Sequence, residues 1–207
     1  MTKTFLLCLD KGAWRAITLR GQDVECQRIT FDPAQGCHGA EAEVAAALRR
    51  MGHRGEGLCL GLPSDMAMSA MIDGSKLSRK HRASELLYRL EEQVPIEAEN
   101  LTADYMPAPG GRALAVAVDN RIALPLIESL DAQGLRVAAL CPTSLLVLCG
   151  WLASAPAEAP DLLLIRGADG DDLVRLSQKQ PVAWYHVHTP EDLQSVLDAD
   201  TLVNPTD

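Results

Sequence analysis

Apolar and polar positions alternate from the start of the chain. Residues 4–10 (TFLLCLD) and 13–20 (AWRAITLR) are apolar-rich runs separated by Lys11 and Gly12, which predicts a strand, a tight turn and a strand. Residues 22–31 give a third strand with weaker alternation, and DPAQGCHG reads as a loop. Ala40, Val44, Ala47, Leu48 and Met51 then recur on one helical face, with Gly52 as the stop. GLCLGLP (57–63) is a short apolar strand ended by proline. The opening order is therefore β-β-β-α-β.

The next block has another rhythm. In DMAMSAMID (65–73), Met66, Met68, Ala70 and Ile72 share one strand face. Ser78 is placed to cap a helix whose Leu86, Leu87, Leu90 and Val94 line up, and Pro95 stops it. Two strands follow, NLTADYM and ALAVAVD, around the turn-forming PAPGGR. Asn120 is the expected cap of a helix carrying Ile122, Leu126, Ile127 and Leu130. Pro125 lies in its first turns and Gly134 closes it. LRVAALCP (135–142) returns to a strand, and TSLLVLCGWLA (143–153) has the all-round apolar character of a buried helix. SAPAEAP (154–160) reads as a linker. A three-stranded meander follows in DLLLIRG, DDLVRLSQ and PVAWYHV, and Thr189-Pro190 opens a helix with Leu193, Val196 and Leu197.

Composition narrows the function classes. Of 207 residues, 47 % are hydrophobic and 23 % charged, which suits a packed globular core. The net charge of −9 disfavours nucleic acid as a partner, because a phosphate backbone needs a basic surface. The local basic cluster Lys76, Arg79, Lys80 and Arg82 reads as a solvated helix start. Six cysteines form no CxxC pair, and Cys8 and Cys59 sit within apolar runs, so buried reduced thiols in a cytoplasmic protein are expected. The N-terminal apolar run is too short for a signal peptide, and no segment approaches the ~20 apolar residues that cross a bilayer.

A hairpin with an acid at its turn, an inserted α+β module and a second hairpin together resemble the actin-like ATPase superfamily. The insert narrows this. RASELLYRLEEQVPIEAENLTADY (82–105) resembles the PilM and GspL families, in which a helix with a Glu-Gln end runs into proline, an acidic stretch and a strand. ALAVAVDNRIALPLIESLDAQGLRVAALCPTSLLVL continues the resemblance, which spans roughly residues 4–187. It implies an α/β, actin-like (ASKHA, ribonuclease H-like) fold with mixed sheets, an inserted small α+β module and an incomplete second lobe. The expected parts are 1–63 plus 137–155, an insert at 64–136, and a second lobe from 160 to 207. The implied role is a non-catalytic scaffold at the inner face of the inner membrane. Its partners would be a secretion or pilus motor ATPase, or an inner-membrane assembly protein. Contact with the membrane would be indirect, or through a C-terminal segment beyond DADTLVNPTD.

In this superfamily two hairpin tips grip phosphate and metal-bound water. The candidates here are Asp10, Lys11 and Gly12 at the first tip and Gly167, Asp169 and Gly170 at the second. Both tips depart from what the chemistry needs. Ala13 and Trp14 stand where small residues would admit a phosphate, and Arg15 reads as a solvated strand residue. Arg166 replaces the second acid, and Asp171 and Asp172 belong to a polar turn. No cofactor is expected; ATP with Mg²⁺ at Asp10 and the 167–172 turn is the alternative reading. His186 and His188 share a strand face, and polar decoration of an edge strand is favoured over half a zinc site. Cys37-His38 lacks the third group of a triad.

For a protein partner, the expected surface combines Met66 and Met68 with Leu86 and Leu90 of the following helix, a flexible apolar face suited to a short peptide. Core packing is the competing reading for the methionines. Exposed apolar surface on a half-fold would also favour a homodimer.

Overall fold

The computed structural model describes residues 3–10, 12–32, 39–74, 82–154, 160–167 and 170–203. Contacts divide the chain into two units. One runs to Met66 and resumes over Asp119–Leu146; the other holds Ala67–Val118 and resumes at Val147.

The first unit is built on β1 (Thr4–Asp10), β2 (Ala13–Arg20), β3 (Asp23–Thr30), β4 (Leu58–Leu62) and β8 (Val137–Pro142), in the order β3-β2-β1-β4-β8. The first three strands are antiparallel neighbours, whereas β1, β4 and β8 run parallel. Period-two alternation sets the faces. Phe5, Leu7 and Leu9 are buried on β1, and Trp14 and Ala16 join them from β2. Helix α1 (Glu41–Arg50) buries Val44, Ala45, Ala47 and Leu48, and packs against β2 and β3. Helix α3 (Asn120–Asp131) buries Ala123, Leu126 and Leu130, and packs against α1 and β8. Ile122 stays half-exposed, one position off the face expected for it.

The cap of α3 also differs from expectation. Asp119, the last residue of β7 (Arg112–Asp119), keeps extended dihedrals and accepts a hydrogen bond from the Arg121 N–H at 2.8 Å, while Asn120 already lies inside the helix. The Arg121 guanidinium closes on the same carboxylate at 2.6 Å and holds its pKa below the usual carboxylate range. Asp119→Ala is therefore expected to lower the thermal midpoint at neutral pH. A depressed folded-state pKa gives stability that is full above the unfolded carboxylate value and lost as pH falls through the folded one. The gap between wild type and variant should accordingly close on acidification, as read by melting curves across pH.

In the second unit, β5 (Ala67–Asp73), β6 (Leu101–Pro107) and β7 form a sheet ordered β5-β7-β6, packed against α2 (Arg82–Glu91). Ile72, Leu86, Leu90, Val94, Leu101, Ala115 and Ala117 make its core. Helix α2 stops short of the expected Pro95. The Gln93 and Val94 N–H groups both turn back to the Leu90 carbonyl, which still delivers Val94 to the core. The expected cap Ser78 and most of the basic cluster lie outside the described residues.

The meander is present as β9 (Leu162–Arg166), β10 (Asp171–Ser177) and β11 (Gln180–Val187), ordered β11-β10-β9. Leu173, Val174, Leu176, Trp184 and Val187 form its buried face. Beside β11 runs β5, and the Ser69 hydroxyl donates to the Trp184 carbonyl at 2.6 Å. Helix α5 (Pro190–Val203) opens on a reciprocal capping box. The Asp192 N–H bonds Thr189 Oγ1, and the Thr189 N–H bonds the Asp192 carboxylate, both at 3.1 Å. Helix α4 (Thr143–Ser154) is not the buried helix its composition suggests: Leu145 and Leu148 are buried, but Val147 is 52 % exposed and Cys149 is exposed.

Candidate functional site

The first hairpin turns between Asp10, the last residue of β1, and Ala13, its register partner on β2. Gly12 adopts φ +68°, which the turn requires, and its carbonyl accepts the Phe31 N–H at 3.0 Å. Arg15 lies two residues beyond the Asp10 partner on the same face, so its guanidinium reaches back diagonally. Nε and Nη2 donate to Asp10 Oδ2 at 3.0 and 2.7 Å, and this bond is the main reason the Arg15 pKa is raised further. The expected solvated arginine is thus the partner of the hairpin acid. Trp14 does not fill a phosphate approach. Paired with Leu9 and Ile29, it points into the core and is fully buried. Lys11 lies outside the described residues.

The second tip is closed on itself. The Gly167 N–H donates to the Gly170 carbonyl at 3.0 Å. Gly170 sits at φ +142°, where an added Cβ would approach the Val187 carbonyl oxygen to 2.7 Å. These glycines are explained by backbone closeness, and Asp169 lies outside the described residues. Asp172 is not a turn residue: it belongs to β10, is buried, and accepts a hydrogen bond from His186 Nδ1 at 3.0 Å. His186 therefore serves an internal pair instead of decorating an edge. Its ring stacks edge-on with His188 at 4.6 Å between centroids.

The described residues of these tips do not fit a magnesium nucleotide. The first carboxylate is neutralised by an arginine, Arg166 ends β9 where an acid is required, and the Gly167 N–H is spent within its own turn. Cys37 and His38 lie outside the described residues, among which no cluster of metal-ligating side chains occurs.

The residues expected to meet a partner separate. Met66 ends a 3₁₀ turn (Ser64–Met66), and Met68 is half-buried against the core of the second unit. Leu86 and Leu90, at 3 % and 0 % exposure, are core residues, so α2 does not offer them to a ligand. What α2 does present is Tyr88, 65 % exposed, at a groove of about 390 Å³. Leu87, Glu91, Glu97 and Glu99 also line it. The signal for it was the acidic stretch after Pro95, which folds back beside the helix.

A second missed feature joins three strands. Cys8 and Cys141 are the register partners of Gly61 on β1 and β8, and Cys59 precedes Gly61 on the same face of β4. Cys8 is buried as expected, and desolvation raises its pKa. Cys59 is only half-buried, contrary to the expectation, and a hydrogen bond from the Cys141 thiol lowers its pKa to about 7.

No family model matches the chain, and no curated protein matches it in sequence. Solved structures do. The cytoplasmic domain of EpsL, an inner-membrane component of the type II secretion system of Vibrio cholerae, is similar over 100 % of this chain and 79 % of its own, at 13 % identity and a TM-score of 0.66. A chain of a PilM–PilN type IV pilus biogenesis complex is similar at 18 % identity and a TM-score of 0.72. That match covers 99 % of this chain and 66 % of the other. A Bacteroides thetaiotaomicron protein with an actin-like ATPase fold and unknown function follows at 12 % identity and 0.56, over 97 % and 76 % of the two chains. The fold is actin-like, as the resemblance to the PilM and GspL families implied.

Proposed function

We propose that this chain is a non-catalytic cytoplasmic scaffold of a type II secretion or type IV pilus assembly system. It docks a motor ATPase or the cytoplasmic tail of an inner-membrane partner. The observation that carries this reading is the Asp10–Arg15 ion pair, which occupies the hairpin acid of an actin-like fold with an internal cation. Phosphoryl transfer needs several groups held in register, and Arg15 competes with a metal for the Asp10 Oδ2 that it already holds. Support for secretion and pilus systems comes from the EpsL and PilM–PilN likenesses. Among the described residues no helix is long and apolar enough to cross a membrane. The acidic groove beside Tyr88 adds a surface complementary to basic partner segments.

The test has two arms. Titration with Mg-ATP is expected to leave the melting temperature unchanged, since a ligand at a hundred times its dissociation constant would add about 2.7 kcal/mol. A shift that disappears in Asp10→Ala would instead establish the nucleotide-binding alternative. Co-expression with the motor ATPase and the inner-membrane protein of the same assembly system is expected to yield a complex stable to gel filtration. Failure to elute with either one overturns the scaffold reading.

A further inference from the structure

The five-stranded sheet ends on β3, and no strand of the described residues lies beyond it. Its hydrogen bonding shows which main-chain groups face outward. Ala13 opposes Thr30, so Phe31 stands opposite Gly12, and the Phe31 N–H donates to the Gly12 carbonyl at 3.0 Å. An antiparallel ladder bonds every second residue on each side of a strand. The odd-numbered residues of β3 therefore bond β2, and the N–H and C=O groups of Val24, Cys26, Arg28 and Thr30 turn away from the sheet. All of these residues are exposed, Val24 to 65 %. A groove of about 390 Å³ runs along this edge, lined by residues 27–30 and by Glu43, Ala46 and Arg50 of α1. Successive residues alternate between the two faces, so a groove that touches all of residues 27–30 faces the edge of the strand. β3 has eight residues in unbroken register with β2, without the proline, lysine or bulge that commonly blunts an exposed edge.

An edge of this kind is satisfied by another extended strand. We propose that the β3 edge is a docking surface for a second copy of this chain, the two β3 strands pairing antiparallel about an axis at Gln27. A two-fold axis normal to the sheet keeps each face on its own side, so odd-numbered residues oppose odd ones and even oppose even. With the axis at Gln27, Val24 pairs with the partner's Thr30 and Cys26 with the partner's Arg28, which uses every outward-facing residue. Charge favours the same register. Glu25 lies one step along the face from the partner's Gln27, and in each copy Arg50 Nη2 donates to Gln27 Oε1 at 3.5 Å. An acid of each strand thus meets the α1 cation of the other copy. Moving the axis to Cys26 loses one of the outward pairs, and moving it to Glu25 sets that carboxylate against its own copy. Pairing of this kind needs neither a motor ATPase nor a membrane partner, so it stands apart from the scaffold reading.

Sedimentation of the intact chain is expected to show a monomer–dimer equilibrium, and Val24→Lys, which puts a charge on the outer edge, should shift it to monomer. Amide exchange at rising protein concentration should slow the Val24, Cys26, Arg28 and Thr30 N–H groups together. Disulfide trapping reads the register. In a Cys26→Ser background, the two copies of residue 27 oppose each other at about 4.5 Å between Cα atoms, so Gln27→Cys should link into a dimer on oxidation. Glu25→Cys, whose two copies lie about 13 Å apart, should not. A chain that stays monomeric up to about 1 mM overturns the proposal. So does a dimer that Val24→Lys leaves intact, or one in which Glu25→Cys links as readily as Gln27→Cys. Amide exchange on the wild-type chain decides the point even if a variant misfolds: unchanged rates at these residues where the dimer forms overturn it.

Discussion

Trp14→Ala is expected to lower the unfolding free energy by about 3–5 kcal/mol, the cost of emptying a large buried aromatic site that its neighbours can only partly refill. Trp14 is fully buried between Leu9 and Ile29 in the five-stranded sheet. Its removal strips contacts from three adjacent strands at once. Against a typical total of about 5–15 kcal/mol, the denaturant midpoint should fall by a large fraction. Trp14→Phe keeps most of the apolar volume and should cost clearly less. A loss below about 1 kcal/mol for Trp14→Ala would mean that the side chain stands at the hairpin surface, blocking the approach instead of filling the core.

Leu90→Ala carries the second large effect, about 2–5 kcal/mol. Leu90 is completely buried with Ile72, Leu86 and Leu101, where α2 meets its sheet. Its carbonyl also receives the turn that ends the helix. The variant should expose the second unit to proteolysis and lower its unfolding midpoint. Tyr88→Ala, at the solvent face of the same helix, should change stability by no more than about 0.5 kcal/mol. Under the scaffold reading it should weaken binding of a basic partner segment. Opposite results for these two variants would restore Leu86 and Leu90 as a partner face.

Much of the architecture was legible because local period and punctuation agree with the global fold. The apolar alternation on either side of Gly12 specifies the first hairpin, and the Thr189–Asp192 box specifies the start of α5. Where boundaries moved, the cause is tertiary. Val94 follows the helical spacing of Leu86 and Leu90, yet it reaches the core from a turn, because burial of the side chain does not require helical backbone at that residue. Asp119 outcompetes Asn120 as a cap because the strand that ends on it already supplies the extended dihedrals. The apolar composition of α4 says how much of the helix can be buried, and Val147 shows that not all of it is.

The candidate sites were less legible for the same reason. Asp10 and Gly12 announce a turn with an acid, and only the antiparallel register swings Arg15 onto that acid. Asp172 and His186 are far apart in sequence and pair because β10 and β11 are neighbours. The thiol group needs β1, β4 and β8 to run side by side, a parallel arrangement that no local pattern encodes. By itself, then, the sequence determined most of the strands and helices and their order, since these follow from short-range periodicity and turn chemistry, and the actin-like class was implied by the resemblance those segments carry. The tertiary structure alone decided which charges are neutralised, which leucines are core and which cysteines are buried. Those properties depend on long-range register and burial, through which the environment of a side chain is set by residues it never adjoins in the chain.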